Sequence, residues 1–151
     1  EHWAAFSAGF AEVFALVMDL ARGNRGPAPA TITFLSGDVH NSYLAEVTDP
    51  GRYGAHSRIV QAVASPMRNP MPRWLRIAMS LFAKRLVRPM RYLANRSLRV
   101  PDPDYPWTVT HGPWFDNNVA VCEVRGSGLH LRWWAGTPDG GLRPVAEVSL
   151  A

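Results

Sequence analysis

The residues best able to do chemistry stand together in residues 31–42, TITFLSGDVHNS, where an apolar extended run leads straight into Asp38-Val39-His40. In extended backbone, residues two apart point the same way, so a carboxylate and an imidazole can address one spot, as a metal-ligand pair does. Gly37 lets the chain turn just as the strand carrying Ile32, Phe34 and Leu35 ends, and strand ends are where α/β folds place chemistry. Carboxylate suits a hard ion such as calcium, and imidazole is at home on iron or zinc. Such donors fit dinuclear phosphoester hydrolysis, in which two cations polarise a phosphoryl oxygen and activate water. The plainer reading makes Asp38 a turn cap and His40 a polar loop residue. Asn41 and Ser42 either orient ligands or touch a phosphate, or they open the next strand as turn residues. Arg68 and Asn69 lie in the proline-bounded run SPMRNP; the guanidinium is either a phosphate clamp or a solvated loop charge.

The elements that must hold these groups follow from periodicity. Trp3, Phe6, Phe10, Val13, Phe14, Val17, Met18 and Leu20 recur mostly three and four apart, which predicts a helix over residues 2–22 closed by Gly23, Asn24 and Gly26. A Pro-rich link then feeds a strand over residues 31–35, apolar enough to be buried on both faces. Strands over 43–48 and 57–64, joined by a turn at Asp49-Pro50-Gly51, are expected to pair antiparallel. A loop over 65–72 precedes a second main helix over 73–96, with Trp74, Ile77 or Ala78, Leu81, Phe82, Leu86, Met90 and Leu93 on one face and Arg73, Arg76, Lys84, Arg88 and Arg91 on the other; Pro89 should kink it. After a reset at 101–106, strands over 108–110, 119–124, 129–135 and 145–150 with glycine-rich links predict an antiparallel meander that extends or covers the earlier sheet. Trp133-Trp134 puts one indole on each sheet face. The fold class is α/β.

The run LSGDVHNSYLAEV resembles the last metal-binding motif of the PhoD-like (alkaline phosphatase D) branch of the calcineurin-like metallophosphoesterases. That superfamily closes its metal site with Gly-His-x-His, and the branch has Asp in place of the first His. Glu1-His2-Trp3 with Phe6, Ser65-Pro66-Met67-Arg68-Asn69-Pro70, and Trp114-Phe115-Asp116-Asn117 fit the same branch. The resemblance implies the C-terminal part of an αββα sandwich, a single unit over residues 1–151. It implies phosphomonoester or phosphodiester hydrolysis at an iron and calcium type of site, with Asp38 toward calcium and His40 toward iron. Trp3 would then sit near the mouth of the active site, or more simply anchor the first helix. The superfamily's other ligand motifs are an opening Asp-x-His, a Gly-Asp-x-x-Asp and a Gly-Asn-His; Asp38-Val39-His40 alone could pass for the opening one, but neither of the two that should follow it occurs downstream, so this chain is expected to carry only the closing part of the site and to be inactive alone. The remaining donors would come from an upstream part of the same protein or from a separate subunit.

At 151 residues, with 47% apolar and 19% charged side chains, the chain has the composition of a globular domain rather than of a disordered one. It contains no signal peptide and no apolar run of bilayer length, and its compartment is left open. The one cysteine, Cys122, excludes an internal disulfide framework and reads as a small buried strand residue. His2, His56, His111 and His130 have no partner at ligand spacing and read as surface or hydrogen-bonded groups. Between Asp49 and Asp102 there is no acidic residue, while Arg52, Arg58, Arg68, Arg73, Arg76, Lys84, Arg85, Arg88, Arg91, Arg96 and Arg99 all fall there. That asymmetry supports a reading of another class: a non-catalytic binding module whose basic amphipathic helix docks on anionic membrane, nucleic acid or another polyanion.

Overall fold

Phe14, Val17, Met18 and Ala21 recur at helical spacing and are buried together, which fixes the inward stripe of α1 (Ser7–Ala21). The helix closes in a Schellman turn: the Asn24 amide donates to Asp19 O at 2.9 Å and the Gly23 amide to Leu20 O at 3.1 Å, with Gly23 at φ 77°. Asn24 Nδ2, and then Arg25 Nε, hydrogen-bond the Asp19 carboxylate and hold its pKa below the usual value. The structure, a computed structural model, describes residues 7–37, 40–65, 105–126 and 128–150, with Trp74, Leu75, Ile77, Ala78 and Leu81 between them.

Among the described residues seven strands follow: β1 (Thr31–Ser36), β2 (Ser42–Val47), β3 (Arg58–Val63), β4 (Trp107–Trp114), β5 (Asn118–Arg125), β6 (Gly128–Gly136) and β7 (Leu142–Leu150). The first four make a mixed sheet in the order β1-β3-β2-β4, with β1 parallel to β3 and the other pairs antiparallel. The last three make the expected antiparallel meander. Of the expected turn at Asp49-Pro50-Gly51, Pro50 opens a short 3-10 helix (Pro50–Tyr53), a position its fixed φ suits.

Residues facing each other across a ladder share a face. Ile32, Phe34, Val47 and Ile59 meet α1, where Phe14 stacks on Tyr105 at 5.0 Å and meets Trp107 edge-on at 5.8 Å. Leu44, Val60 and Ala62 face the other way, onto Leu131, Trp133, Val148 and Leu150 of the meander. The described residues therefore form three layers: helix, mixed sheet, antiparallel sheet. Trp133 is fully buried between the sheets, and its Nε1–H donates to Val63 O at 3.0 Å, so a polar group in the core is satisfied across the layers.

Four expectations are corrected. Among the described residues there is one α-helix, not two; of residues 73–96 only Trp74, Leu75, Ile77, Ala78 and Leu81 are described, all in helical backbone, and the rest lie outside the described residues. β1 is not buried on both faces: it is the edge of its sheet, half-buried, with Leu35 66% exposed. Cys122 is exposed, because β5 is likewise an edge strand. β4 runs to Trp114 rather than ending near Thr110; an edge strand tolerates Pro113, which has no ladder donor to lose. The meander strands were expected to extend or cover the first sheet, and the two options divide: β4 extends it and β5 to β7 cover it.

Replacing Trp133 by Ala removes the largest buried side chain and strands the Val63 carbonyl. Equilibrium denaturation should show a loss of about 3–5 kcal/mol; a loss under about 1 kcal/mol would mean the two sheets do not share this core.

Candidate functional site

β1 and β2 are not neighbours, since β3 lies between them and its Val63 pairs with Ser36 on one side and Tyr43 on the other. Residues 37–41 must therefore step over the C-terminal end of β3, a span of two strand spacings or about 10 Å. Fully extended, the chain from Ser36 to Ser42 could reach roughly 20 Å, so the loop has slack to fold. His40 takes up part of it in left-handed backbone, at φ 57°.

The loop is pinned at both ends to the chain that leaves β3. On the entry side, the Ala64 amide donates to Ser36 O at 3.1 Å, and a side chain at Gly37 would come within 3.2 Å of Ala64 O. On the exit side, Ser42 is fully buried: its hydroxyl accepts the Ser65 amide at 2.9 Å and donates to Asn118 Oδ1 at 2.6 Å, with Ser65 O a second acceptor at 3.0 Å. Asn118 Nδ2 in turn donates to Asp116 O at 2.8 Å. β4 closes over the same point, where a β-carbon on Gly112 would stand 2.8 Å from Ser42 O and 3.1 Å from Tyr43 Cα; Gly112 has φ 92°. No side chain fits that approach, and no L residue favours that φ.

Of the site residues expected from sequence, His40, Asn41 and Ser42 are described; Asp38, Trp3, Arg68 and Asn69 lie outside the described residues. His40 is exposed on the loop. Asn41 Oδ1 is buried without a hydrogen-bond partner among the described residues, and so is Asn117 Oδ1. Because Ser42 pairs with Trp114 and clasps Asn118, Asn41 and Asn117 belong to the same end of the sheet. Ser42 braces the loop and has no exposed surface to offer a ligand. Asp116, expected at a pocket rim with Asn117, is bridged by Arg143 Nη2 at 2.6 Å. Burial pushes the Tyr43 phenol up. The remaining described histidines are placed elsewhere: His111 Nδ1 lies 3.1 Å from Thr110 Oγ1, His130 Nε2 lies 3.3 Å from Glu147 Oε1, and His56 is exposed. Trp114 packs on Trp133 at 5.5 Å and Phe115 is buried, as their expected role in packing the meander requires.

The exposed imidazole of His40 and, next in sequence, the Asn41 amide oxygen, which has no hydrogen-bond donor among the described residues, are groups of the kinds that nitrogen- and oxygen-seeking cations accept. Among the described residues no three His, Cys, Asp or Glu side chains converge to hold a metal by themselves. Gly112, Ser65 and Asn118 are the positioning residues that sequence reasoning missed. Ser65 and Asn118 hydrogen-bond Ser42 from 23 and 76 residues away, and Gly112 meets it only through close approach, all beyond any local spacing rule. No family model, curated protein or solved structure matches the chain.

Ser42→Ala leaves Asn118 Oδ1 without its donor and the Ser65 amide without its acceptor. It should cost about 1–3 kcal/mol by denaturant titration. Gly112→Ala should cost at least ~1–3 kcal/mol from backbone strain. Wild-type stability for both variants would show that the clasp does not hold the loop.

Proposed function

We propose that this chain supplies the closing metal-ligand loop of a PhoD-like metallophosphoesterase, a hydrolase of phosphomonoesters or phosphodiesters. One observation carries the reading: the GDVH loop crosses the C-terminal end of β3, pinned on both flanks by Ala64 and Ser65, with His40 exposed on it. A loop so braced pre-positions its donors, and donors held in place before binding lose little freedom when an ion arrives. In this reading Asp38 and His40 are the ligands, Asp38 for a calcium-like ion and His40 for an iron-like one. The ions supply charge to polarise a phosphoryl oxygen and to make water nucleophilic near neutral pH. Asn41 supports the loop from beside the ligands, and Arg68 and Asn69 reach toward the substrate phosphate as its clamp. Trp3 borders the mouth.

The layer order also supports the reading. Helix, mixed sheet and antiparallel sheet are three layers of an αββα sandwich, and the outer face of the meander, where Val119 and Val121 are exposed, is where its other helical layer would lie. The upstream part of the protein, or a second subunit, contributes the other metal donors. The activity therefore belongs to the assembled protein.

In that complete protein, Asp38→Asn and His40→Ala should each lower hydrolysis of p-nitrophenyl phosphate and its diester by more than ~100-fold, since even outer partners of ligands cost about 10–100-fold. Metal content measured by mass spectrometry should fall with activity. Full activity and full metal occupancy in both variants would end this assignment.

A further inference from the structure

Among the described residues β1 has a single neighbour, β3, and the two run parallel. The Arg58 amide donates to Ala30 O at 3.0 Å and the Ala64 amide to Ser36 O at 3.1 Å, and the direction of the backbone groups alternates along a strand. Ile32 and Phe34 therefore turn theirs to β3, while Thr31, Thr33 and Leu35 turn theirs outward, to an edge that no described strand occupies. Leu35 is in register with Ala62 and shares its sheet face, yet Ala62 is buried and Leu35 is exposed.

The other sheet edges are blunted. β4 has Pro113 and shifts register against β2 on both sides of Leu44; β5 carries Glu123 and Arg125; β7 has Pro144 and a register shift against β6. Proline, charge and irregular pairing are how sheet edges avoid taking on another strand. TITFLS has no proline, no charge and an unbroken register with β3, so it is a template for a further strand.

The direction of α1 shows which strand fits. At its C-terminal end Ala21 O accepts the His56 amide at 2.7 Å, just before β3 begins, so α1 finishes where β1 and β3 start. Two turns earlier Phe14 meets the Trp107 ring, which in turn meets Phe34 near the C-terminal end of β1. α1 therefore runs against the direction of β1, and the chain enters it from the end at which β1 finishes. A strand parallel to β1 delivers the chain to that end, and parallel strands need a crossover of this kind, usually a helix. α1 and β1 then form the second and third parts of a βαβ unit. A second copy of this chain would place its own β1 on the edge and leave α1 without the strand that should precede it.

We infer that the open edge of β1 is where the polypeptide preceding α1 adds a strand, parallel to β1 and predominantly apolar as parallel strands are. This rests on the proposed function only in placing polypeptide upstream of this chain.

The test is residue-resolved amide hydrogen exchange and NOE measurement by NMR on the complete polypeptide. The Thr33 and Leu35 amides should exchange at least ~100-fold more slowly than in an unstructured chain. Interstrand NOEs should join β1, in parallel register, to residues that precede α1. Thr33→Pro removes an outward-facing N–H and leaves the β3 ladder its donors. It should speed exchange at Leu35 about 10-fold or more while the Val60 and Ala62 amides, on the β1 side of β3, stay protected. If that variant does not fold, exchange and NOEs in the parent decide. The inference is overturned by unprotected Thr33 and Leu35 amides, by NOEs that join this edge to a second copy or to a segment downstream of α1, or by a reading frame that opens at residue 1. Hydrolysis of p-nitrophenyl phosphate by the same sample separates the two readings: an active protein with an open edge counts against the strand alone, and an inactive, metal-free one with a paired edge counts against the hydrolase alone.

Discussion

The insertion of β3 between β1 and β2 dictates the rest of this end of the molecule. Strands consecutive in sequence usually lie side by side, and here they do not, so the connection has to pass over the end of a third strand. Such a crossing exposes the loop while giving it a fixed floor, the Ala64-Ser65 segment. The exposure leaves the His40 imidazole open to solvent, and the floor holds both flanks of the crossing. A hairpin loop between adjacent strands would have had the first property without the second.

The floor is itself anchored from the opposite side of the sheet. Val63 is the rung directly beneath the crossing, flanked by Ser36 and Tyr43, and its carbonyl takes the Trp133 indole proton. The meander thus reaches through the mixed sheet's own backbone to the strand end that carries the loop. On the exit side, Ser42 makes the second link, to Asn118 at the first residue of β5. Packing and polar satisfaction converge on the same few residues, and these residues hold both flanks of the loop to the core.

Much of this architecture could be read from local pattern. The three- and four-residue spacing of Phe10, Val13, Phe14, Val17 and Met18 located α1, and glycine-rich links between β-type runs located the meander. What local pattern could not carry was neighbourhood. The apolar run at Thr31–Ser36 resembles a central strand because nothing in its composition says how many partners it has, and the parallel pairing that makes it an edge is set by β3, far along the chain. The same blindness hid the length of β4, whose Gly112 and Pro113 sit in an edge strand that passes over Ser42. Cys122 was misjudged for the same reason, since hydrophobic flanks predict burial only when a covering layer lies above them. In the GDVH segment, residue types alone suggested cation chemistry, while the clasp from Ser65 and Asn118 could only come from three dimensions.

The exposure of Cys122 has a practical side. It is the chain's single thiol, on the outermost strand of the meander, and Val124 two positions on is also open to solvent. A spectroscopic label attached through sulfur would therefore occupy one defined position on a rigid β-scaffold, with no competing attachment point. Energy transfer from that label would make the molecule its own ruler.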